Sequence, residues 1–344
     1  MRIKSSALAA VLACIAVMLS ACGSSSASGS TKGQTSVCWA DPQAKQPIFQ
    51  TFTDALNAAA KRSNVKVITL DGQANPAQQV SDIQTCITDH VKAIIVYTLQ
   101  QEAENAIMQK AHAAGIKLIG VNAVPAGYGQ TPAVPPPYDA NLDLGFVTGA
   151  HDAAKYVAQQ LGGQGNVVGI KIPIPVSSLV SMLAAYKQYV TEGYPNIHWL
   201  AELPDATDDL AGGRSSVADA VTRYNGKING VLSYTDISAI GAAQALASAG
   251  VKNPVIVGLQ GNQAGIDAVK SGQIQGDIDT KPYTEAVYAL ALTKAVLAGT
   301  PTAKFVSSPV QFITKANVNS YVPWSQGVQG IKDGKTPLTV NLGQ

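Results

Sequence analysis

At 344 residues the chain exceeds one compact core, so two lobes are expected. Hydrophobic residues make up 46% of it and charged residues 13%, ample material for a core in each lobe. A formal net charge of +2, with no basic block beyond the first few residues, argues against nucleic acid as a partner and suits a small neutral ligand.

In chain order, Arg2 and Lys4 precede an apolar run over 7–19. It is too short to span a bilayer and has the length of a secretory h-region, so 1–21 is read as a signal peptide that is removed. Leu19-Ser20-Ala21-Cys22 resembles the lipobox of bacterial lipoproteins, which implies a lipid anchor on Cys22 as the first mature residue. The alternative is a plain secretory signal with a chance cysteine. Residues 22–36 then form a flexible Gly/Ser tether. Cys14 lies in the signal, leaving Cys38 and Cys86 for the folded part, with neither a CxxC nor a zinc-type cluster.

Beyond the tether, 36–40 reads as the first strand, and Phe49, Phe52, Leu56 and Ala60 line one side of a helix. Residues 65–98 are the stretch around which the chain is organised. The β-branched run Val65, Val67, Ile68, Leu70 ends in Asp71-Gly72 and the turn before Pro76. Val80, Ile83, Ile87 and Val91 follow at helical spacing, and Ala93-Ile94-Ile95-Val96 is an apolar run of the kind buried on both faces of a parallel sheet. A helix over 102–114 and a strand over 117–121 complete four βα steps. The proline-rich 123–138 breaks this rhythm, and Asp139-Ala140-Asn141 is read as leading into a new helix.

The second half repeats the pattern, with strands at 166–172, 197–203, 230–233 and 255–259 and helices at 179–191, 211–224 and 237–249. AIIVYT in the first half matches GVLSYT in the second, which places Tyr97-Thr98 and Tyr234-Thr235 at equivalent strand ends. A helix over 282–298 and a strand over 310–313 follow, and 317–344 reads as irregular, with Trp324 packed on the second lobe. The fold class is α/β, with two Rossmann-like doubly wound lobes. Ligands of such sheets sit beyond the carboxyl ends of the strands.

LDGQANPAQQVSDIQTCITDHVKAIIV resembles the second-strand, second-helix segment of the ribose-type periplasmic sugar-binding proteins, and the similarity extends over about 35–315. That resemblance implies the periplasmic-binding-protein type 1 fold with three crossover strands between the lobes. The first lobe then holds 37–138 plus 281–308 and the second 139–280 plus 309–344. It further implies an extracytoplasmic solute-binding lipoprotein at the membrane, a monomer that delivers ligand to an ABC permease. With strand order 2-1-3, Cys86 on the helix joining the second strand to the third can face Cys38 on the first. Helix and sheet backbones usually pack too far apart for a bond, so two buried free thiols are expected.

Strand-end positions give the candidate ligand contacts: Trp39, Asp41, Gln46, Phe49, Tyr97 and Asn122 from the first lobe, and Met182, Thr207, Thr235, Asp236, Gln260 and Thr280 from the second. Aromatic faces stack on a sugar's C–H side while amides, acids and hydroxyls answer its hydroxyls. Against the ribose-type pattern, Gln46-Pro47-Ile48-Phe49 stands for Asn-Pro-Phe-Phe, and Asn122-Ala123 for Asp-Arg. Met182 replaces a ligand-binding arginine, Gln260 an aspartate, and Thr235-Asp236 stands for Asn-Asp. Both arginines that clamp sugar hydroxyls are gone, so the ligand is expected to be an uncharged sugar or polyol.

Enzyme signatures are weak. Gly127-Tyr128-Gly129 and Gly163-Gln164-Gly165 begin like a dinucleotide fingerprint, but Pro132 and Val168 occupy the third-glycine positions, so both are turns. Four scattered histidines offer no metal-binding interval, and Asp205, Asp208 and Asp209 read as a solvated, helix-capping loop. Asp71 either touches ligand or caps its turn. No cofactor, metal or catalytic set is expected. The rival readings are a sensor that presents its ligand to a membrane receptor, and a secreted α/β enzyme.

Overall fold

A computed structural model describes residues 34–124, 127 and 130–343. The signal, the lipobox with Cys22 and most of the tether lie outside the described residues, as do Tyr128 and Gly129 of the first glycine pair.

The apolar run at the centre of the first lobe becomes β3 (Ala93–Tyr97), buried at every position. It pairs in parallel with β1 (Thr35–Asp41) and β4 (Lys117–Val121). β2 (Val65–Asp71) lies outside β1, while β5 (Ala140–Asp143) and β11 (Phe305–Ser307) extend the sheet beyond β4. The residues read as leading into a helix at 139–141 are therefore a strand of the first sheet. Four residues are too few to display a period, and it is pairing with β4 and β11 that makes them extended.

Helices α1 (Pro47–Arg62) and α2 (Pro76–Thr88) both carry proline at the start, and Asn75 caps α2 by accepting from the amides of Ala77 and Gln78. Because α2 joins β2 to β3, it passes over β1. It comes close enough that Cys38 and Cys86 are disulfide-bonded, with a Cα separation of 6.0 Å. The expectation of two free thiols is thus corrected: the helix approaches the strand within the range a disulfide spans.

The second sheet has the order β12-β10-β9-β8-β6-β7, built from β6 (Gln164–Lys171), β7 (Asn196–Pro204), β8 (Gly230–Leu232), β9 (Val255–Gln260), β10 (Gly276–Asp279) and β12 (Gln311–Thr314). All pairs are parallel except β12, which is antiparallel to β10. Helices α5 (Ser177–Gly193), α6 (Leu210–Arg223) and α7 (Asp236–Ser248) follow their strands as expected. Gly241 lets α7 lie against α6: a Cβ there would stand 2.3 Å from the Leu210 carbonyl.

Three short passages join the sheets. Leu144-Gly145 runs from β5 to α4 (Phe146–Gln160), which packs on β9, β10 and β12. Thr280-Lys281 runs from β10 to α9 (Pro282–Ala298), which packs on α1 and on β3 to β5. Residues 308–310 run from β11 to β12. The first passage therefore falls after Asp143, later than the boundary expected at 138. The tail also differs from its irregular reading: α10 (Trp324–Lys332) packs on α1 and α9. Arg62 Nη1 holds it by donating to the carbonyls of Ile331 at 3.0 Å and Thr336 at 2.8 Å. Trp324 reaches the second sheet, its Nε1 donating to Asp279 Oδ1 at 3.0 Å.

Candidate functional site

The carboxyl ends of β1 and β3 face those of β6, β8 and β9 across a narrow cleft. Among the described residues, polar contacts bridge it. Gln46 Nε2, at the start of α1, donates to Asp208 Oδ2 at 3.0 Å, and the Tyr97 hydroxyl meets Ser178 Oγ at 3.0 Å. Asp208 also accepts from the Tyr234 hydroxyl at 2.7 Å. Burial raises the Asp208 carboxyl above its ordinary range, and burial pushes the Tyr97 hydroxyl up to about 12. Tyr97 therefore stays neutral, a donor and acceptor rather than an anion.

Between these contacts lies a cavity of about 60 Å³. Five of the twelve candidate residues line it: Gln46, Phe49, Tyr97, Thr235 and Gln260. Phe49 packs edge-on to Tyr97, with ring centroids 5.2 Å apart, so the two make an aromatic corner. Thr235 caps α7 by accepting from the Ser238 amide, and Gln260 ends β9 with a positive φ of 120°. Among the described residues, no lysine or arginine lines the cavity, and Asp208 is its one carboxylate.

The other seven candidates lie outside that lining. Side chains alternate along β1, so Trp39 points into the core against Phe52, with centroids 4.6 Å apart, and its Nε1 donates to Thr53 Oγ1. The Thr53 hydroxyl in turn donates to Asp41 Oδ2 at 3.0 Å, so both candidates anchor α1 to β1. Burial lifts the Asp41 carboxyl to about 6. Asn122 Oδ1 accepts from the Leu144 amide at 2.8 Å and braces the first interlobe passage. Met182 is fully buried in the second lobe's core, and Thr207 donates to Asp209 in the loop before α6. Asp236 is fully buried and accepts from the Asn262 amide at 2.8 Å, fixing the loop after Gln260. Burial raises its carboxyl to about 7 and lifts its neighbour Asp277 as well. The Thr280 amide donates to the Gln260 carbonyl at 3.0 Å.

Residues not among the candidates complete the wall. Leu99 and Phe146 supply apolar surface, and the loop after β6 contributes Ile172, Ile174 and Val176. Tyr234 shares its strand-end place with Tyr97 in the internal repeat, whereas Asp208 corrects the reading of its loop as solvated: it lines the cavity, and Asp205 beside it is fully buried. Gln79 is a further residue that strand-end reasoning misses. Buried in α2, it donates to the Tyr97 carbonyl and accepts from the Leu99 amide, holding the end of β3. Asp71 is a turn cap, accepting from the amides of Ala44 and Gln73. Among the described residues, no group of three or more His, Cys, Asp or Glu side chains is placed to hold a metal ion.

Two doubly wound lobes hinged at three points, with polar and aromatic side chains facing each other across the cleft, define a protein that encloses a small solute. Residues 40–301 match the model of the periplasmic binding protein domain, and the chain belongs to that family of extracytoplasmic, solute-binding transport proteins. It is 27% identical over 271 residues to the xylitol-binding protein of Mycolicibacterium smegmatis, covering 77% of this chain and 73% of that one. It is 25% identical over 284 residues to the ribose import binding protein RbsB of Haemophilus influenzae, covering 83% and 91%. Among solved structures, an ABC sugar transporter subunit from Rhodobacter sphaeroides 2.4.1 superposes with a TM-score of 0.74 at 25% identity, covering 82% of this chain and 99% of that one.

Proposed function

We propose that this protein is the solute-binding lipoprotein of an ABC importer and encloses a small uncharged sugar or polyol between its lobes. The observation that carries the reading is the cleft, where Gln46, Tyr97, Asp208, Thr235 and Gln260 offer donors and acceptors beside the Phe49–Tyr97 corner. No lysine or arginine lines the cavity among the described residues, which disfavours carboxylate and phosphate ligands that call for an arginine fork. The names of the xylitol- and ribose-binding relatives support the same ligand class. Ligand enters between opened lobes, takes over polar partners that now meet across the cleft, and favours the closed state by binding it better.

Binding is the whole activity, and a membrane permease receives the closed complex. Residues 1–21 act as the signal and Cys22 carries the lipid, a reading supported by Leu19-Ser20-Ala21-Cys22. Thermal-shift and calorimetric screening of pentoses, hexoses, inositols and acyclic polyols tests the ligand class. Saturable binding of at least one neutral polyhydroxylated compound is expected, and tight binding of anions alone would overturn the reading. For the anchor, Cys22→Ala should release or stall the protein; a Cys22→Ala protein still processed and lipid-labelled would refute it.

A further inference from the structure

Strand β10 reads Gly-Asp-Ile-Asp, and the pleat sends Asp277 and Asp279 to one face of the sheet with Ile278 on the other. Asp277 is fully buried there beside Asp236, the first residue of α7. Two glycines make the room. A Cβ on Gly258, the β9 partner of Asp277, would stand 3.1 Å from Asp236 Oδ1 and 3.3 Å from Asp277 Oδ1. A Cβ on Gly265, in α8 (Gln263–Ser271), would stand 2.6 Å from Asp236 Cγ and nearer still to Asp277 Oδ2. The two carboxyl groups therefore share one small buried space.

Their hydrogen bonds are unequal. Asp236 accepts from the amides of Asn262 at 2.8 Å and Gly261 at 3.4 Å. Neither oxygen of Asp277 accepts a well-formed bond from an N–H or hydroxyl donor, and the Ile278 amide bears on it least of the groups around it. The donors nearby are committed elsewhere. The Tyr186 hydroxyl, from α5, donates to the Ser233 carbonyl, the Tyr321 hydroxyl, from the tail, to the Gly261 carbonyl at 2.9 Å, and Trp324 Nε1 to Asp279 Oδ1. Among the described residues, these two tyrosines and Asp279 are the titratable groups that bear on the pair, and none is a cation; Lys281 offsets the charge of Asp279. Two carboxylates buried side by side cannot both stay ionised. Burial first, and then the charge of Asp236, pushes the Asp277 carboxyl well above the usual carboxylate range.

We infer that Asp277 is held as a neutral acid whose hydroxyl donates to the Asp236 carboxylate, and that the pair positions Gln260 in the ligand cleft. The route is short. Gln260 ends β9 at a φ of 120°, a conformation that persists in a residue with a side chain only when its surroundings hold it. Its carbonyl takes the Thr280 amide at 3.0 Å, Tyr321 holds the carbonyl of Gly261, and Asp236 holds the next two amides. A proton on Asp277 lets Asp236 stay buried as the acceptor that fixes this loop. The inference rests on the proposed function for Gln260 as a ligand contact and adds the residues that hold it in place.

The test has a spectroscopic and a binding arm, both at pH 8, where Asp236, raised to about 7, is mostly ionised. In the infrared difference spectrum of the parent against Asp277→Asn, the C=O stretch of a neutral carboxylic acid is expected in the parent and absent from the variant. A difference made of carboxylate bands alone would overturn the inference. Isothermal titration uses ribose, glucose, myo-inositol and xylitol as probes. Asp277→Leu, which fills the space but donates nothing, should weaken the best binder among them roughly tenfold, and Asp277→Asn, whose amide donates, should recover most of that loss. In a Gln260→Ala background the Asp277→Leu loss should shrink below about twofold, because nothing is left to position. A full loss persisting there, or an Asp277→Leu protein that binds as well as the parent, would overturn the inference and leave the proposed function standing. Should Asp277→Leu fail to fold, an Asp277→Asn protein that itself loses roughly tenfold would contradict a donor at this position. Binding lost on treatment with EDTA would place a metal ion between the carboxyls instead of a proton and overturn it as well. A parent that binds no neutral sugar or polyol overturns both readings.

Discussion

Asp208→Ala separates the two duties that this cleft carboxylate performs. Asp208 accepts from Gln46 across the cleft at 3.0 Å and from Tyr234 within its own lobe at 2.7 Å. The second bond lies within one lobe and contributes to its stability; the first spans the cleft, and where bound ligand takes its place Asp208 accepts from a ligand hydroxyl instead. A hydrogen bond to a charged group contributes about 1.5–3 kcal/mol, and the partial exposure of Asp208 places this one near the lower end, at about 1.5–2 kcal/mol. At about 1.4 kcal/mol per factor of ten, ligand affinity in Asp208→Ala should fall about ten- to thirtyfold. Isothermal titration with the best-binding polyol of the screen measures the loss. Small-angle scattering of the ligand-saturated variant checks that it still closes. Affinity within twofold of the parent would refute the assignment of Asp208 to closure and to ligand binding alike.

Trp39→Ala should act on stability, since its ring is fully buried against Phe52. A loss of about 3–5 kcal/mol in urea unfolding is expected; weakened binding at unchanged stability would place the ring in the site instead. The disulfide closes a 48-residue span, for which the chain-entropy relation gives about 4 kcal/mol at 25 °C. Cys38→Ser/Cys86→Ser should therefore melt well below the oxidised parent, and equal melting temperatures would show that the bond contributes nothing. The pH dependence follows from buried carboxyls that burial raises from about 4, to about 6 in Asp41 and Asp279 and to about 7 in Asp236 and Glu104. The folded state holds protons there that the unfolded chain releases, so stability is full below about pH 4 for these groups and is lost as pH rises through 6 to 7. Melting temperature should be higher at pH 5 than at pH 8, and the reverse order would show these carboxyls charged in the folded state.

Much of the fold was legible because long apolar strands such as 93–97 and capped helices such as α2 carry their own signals. Of the short strands, β8 and β12 were legible too, but β5, β10 and β11 were not. β5, β10 and β11 have three or four residues each, and β10 bears Asp277 and Asp279, so pairing and burial rather than composition make them extended. At the site, strand ends could be located but side-chain direction could not. Tyr97 faces the cleft while Trp39 faces α1, and Met182 points into the core from a helix whose other face carries Val180. The residue-by-residue match to the ribose-type pattern found Gln46, Phe49, Thr235 and Gln260 where the cavity is. It also picked out Asp236, whose buried carboxyl grips the amide of Asn262 in the adjoining loop and lies outside the cavity lining.

The same geometry explains why closure can be reversible. The polar bridges Gln46–Asp208 and Tyr97–Ser178 contribute about 1–3 kcal/mol each at most. A ligand must supply a comparable differential to shift the population, and a few paired hydroxyls suffice. The lobes themselves resist deformation: the disulfide pins α2 to β1, and the Asp41–Thr53–Trp39 chain pins α1. Change is thereby confined to the three short passages, where Lys281 already holds a positive φ of 55° and Asp143, Asp279 and Glu285 are buried beside one another's fields. Rotation there alters the solvation of those carboxyls, so opening should be easier at pH 8, where the buried acids favour the solvated, charged form, than at pH 5. Ligand dissociation rates followed by stopped flow at the two pH values decide the point. Faster release at pH 5 would mean that the hinge acids take no part.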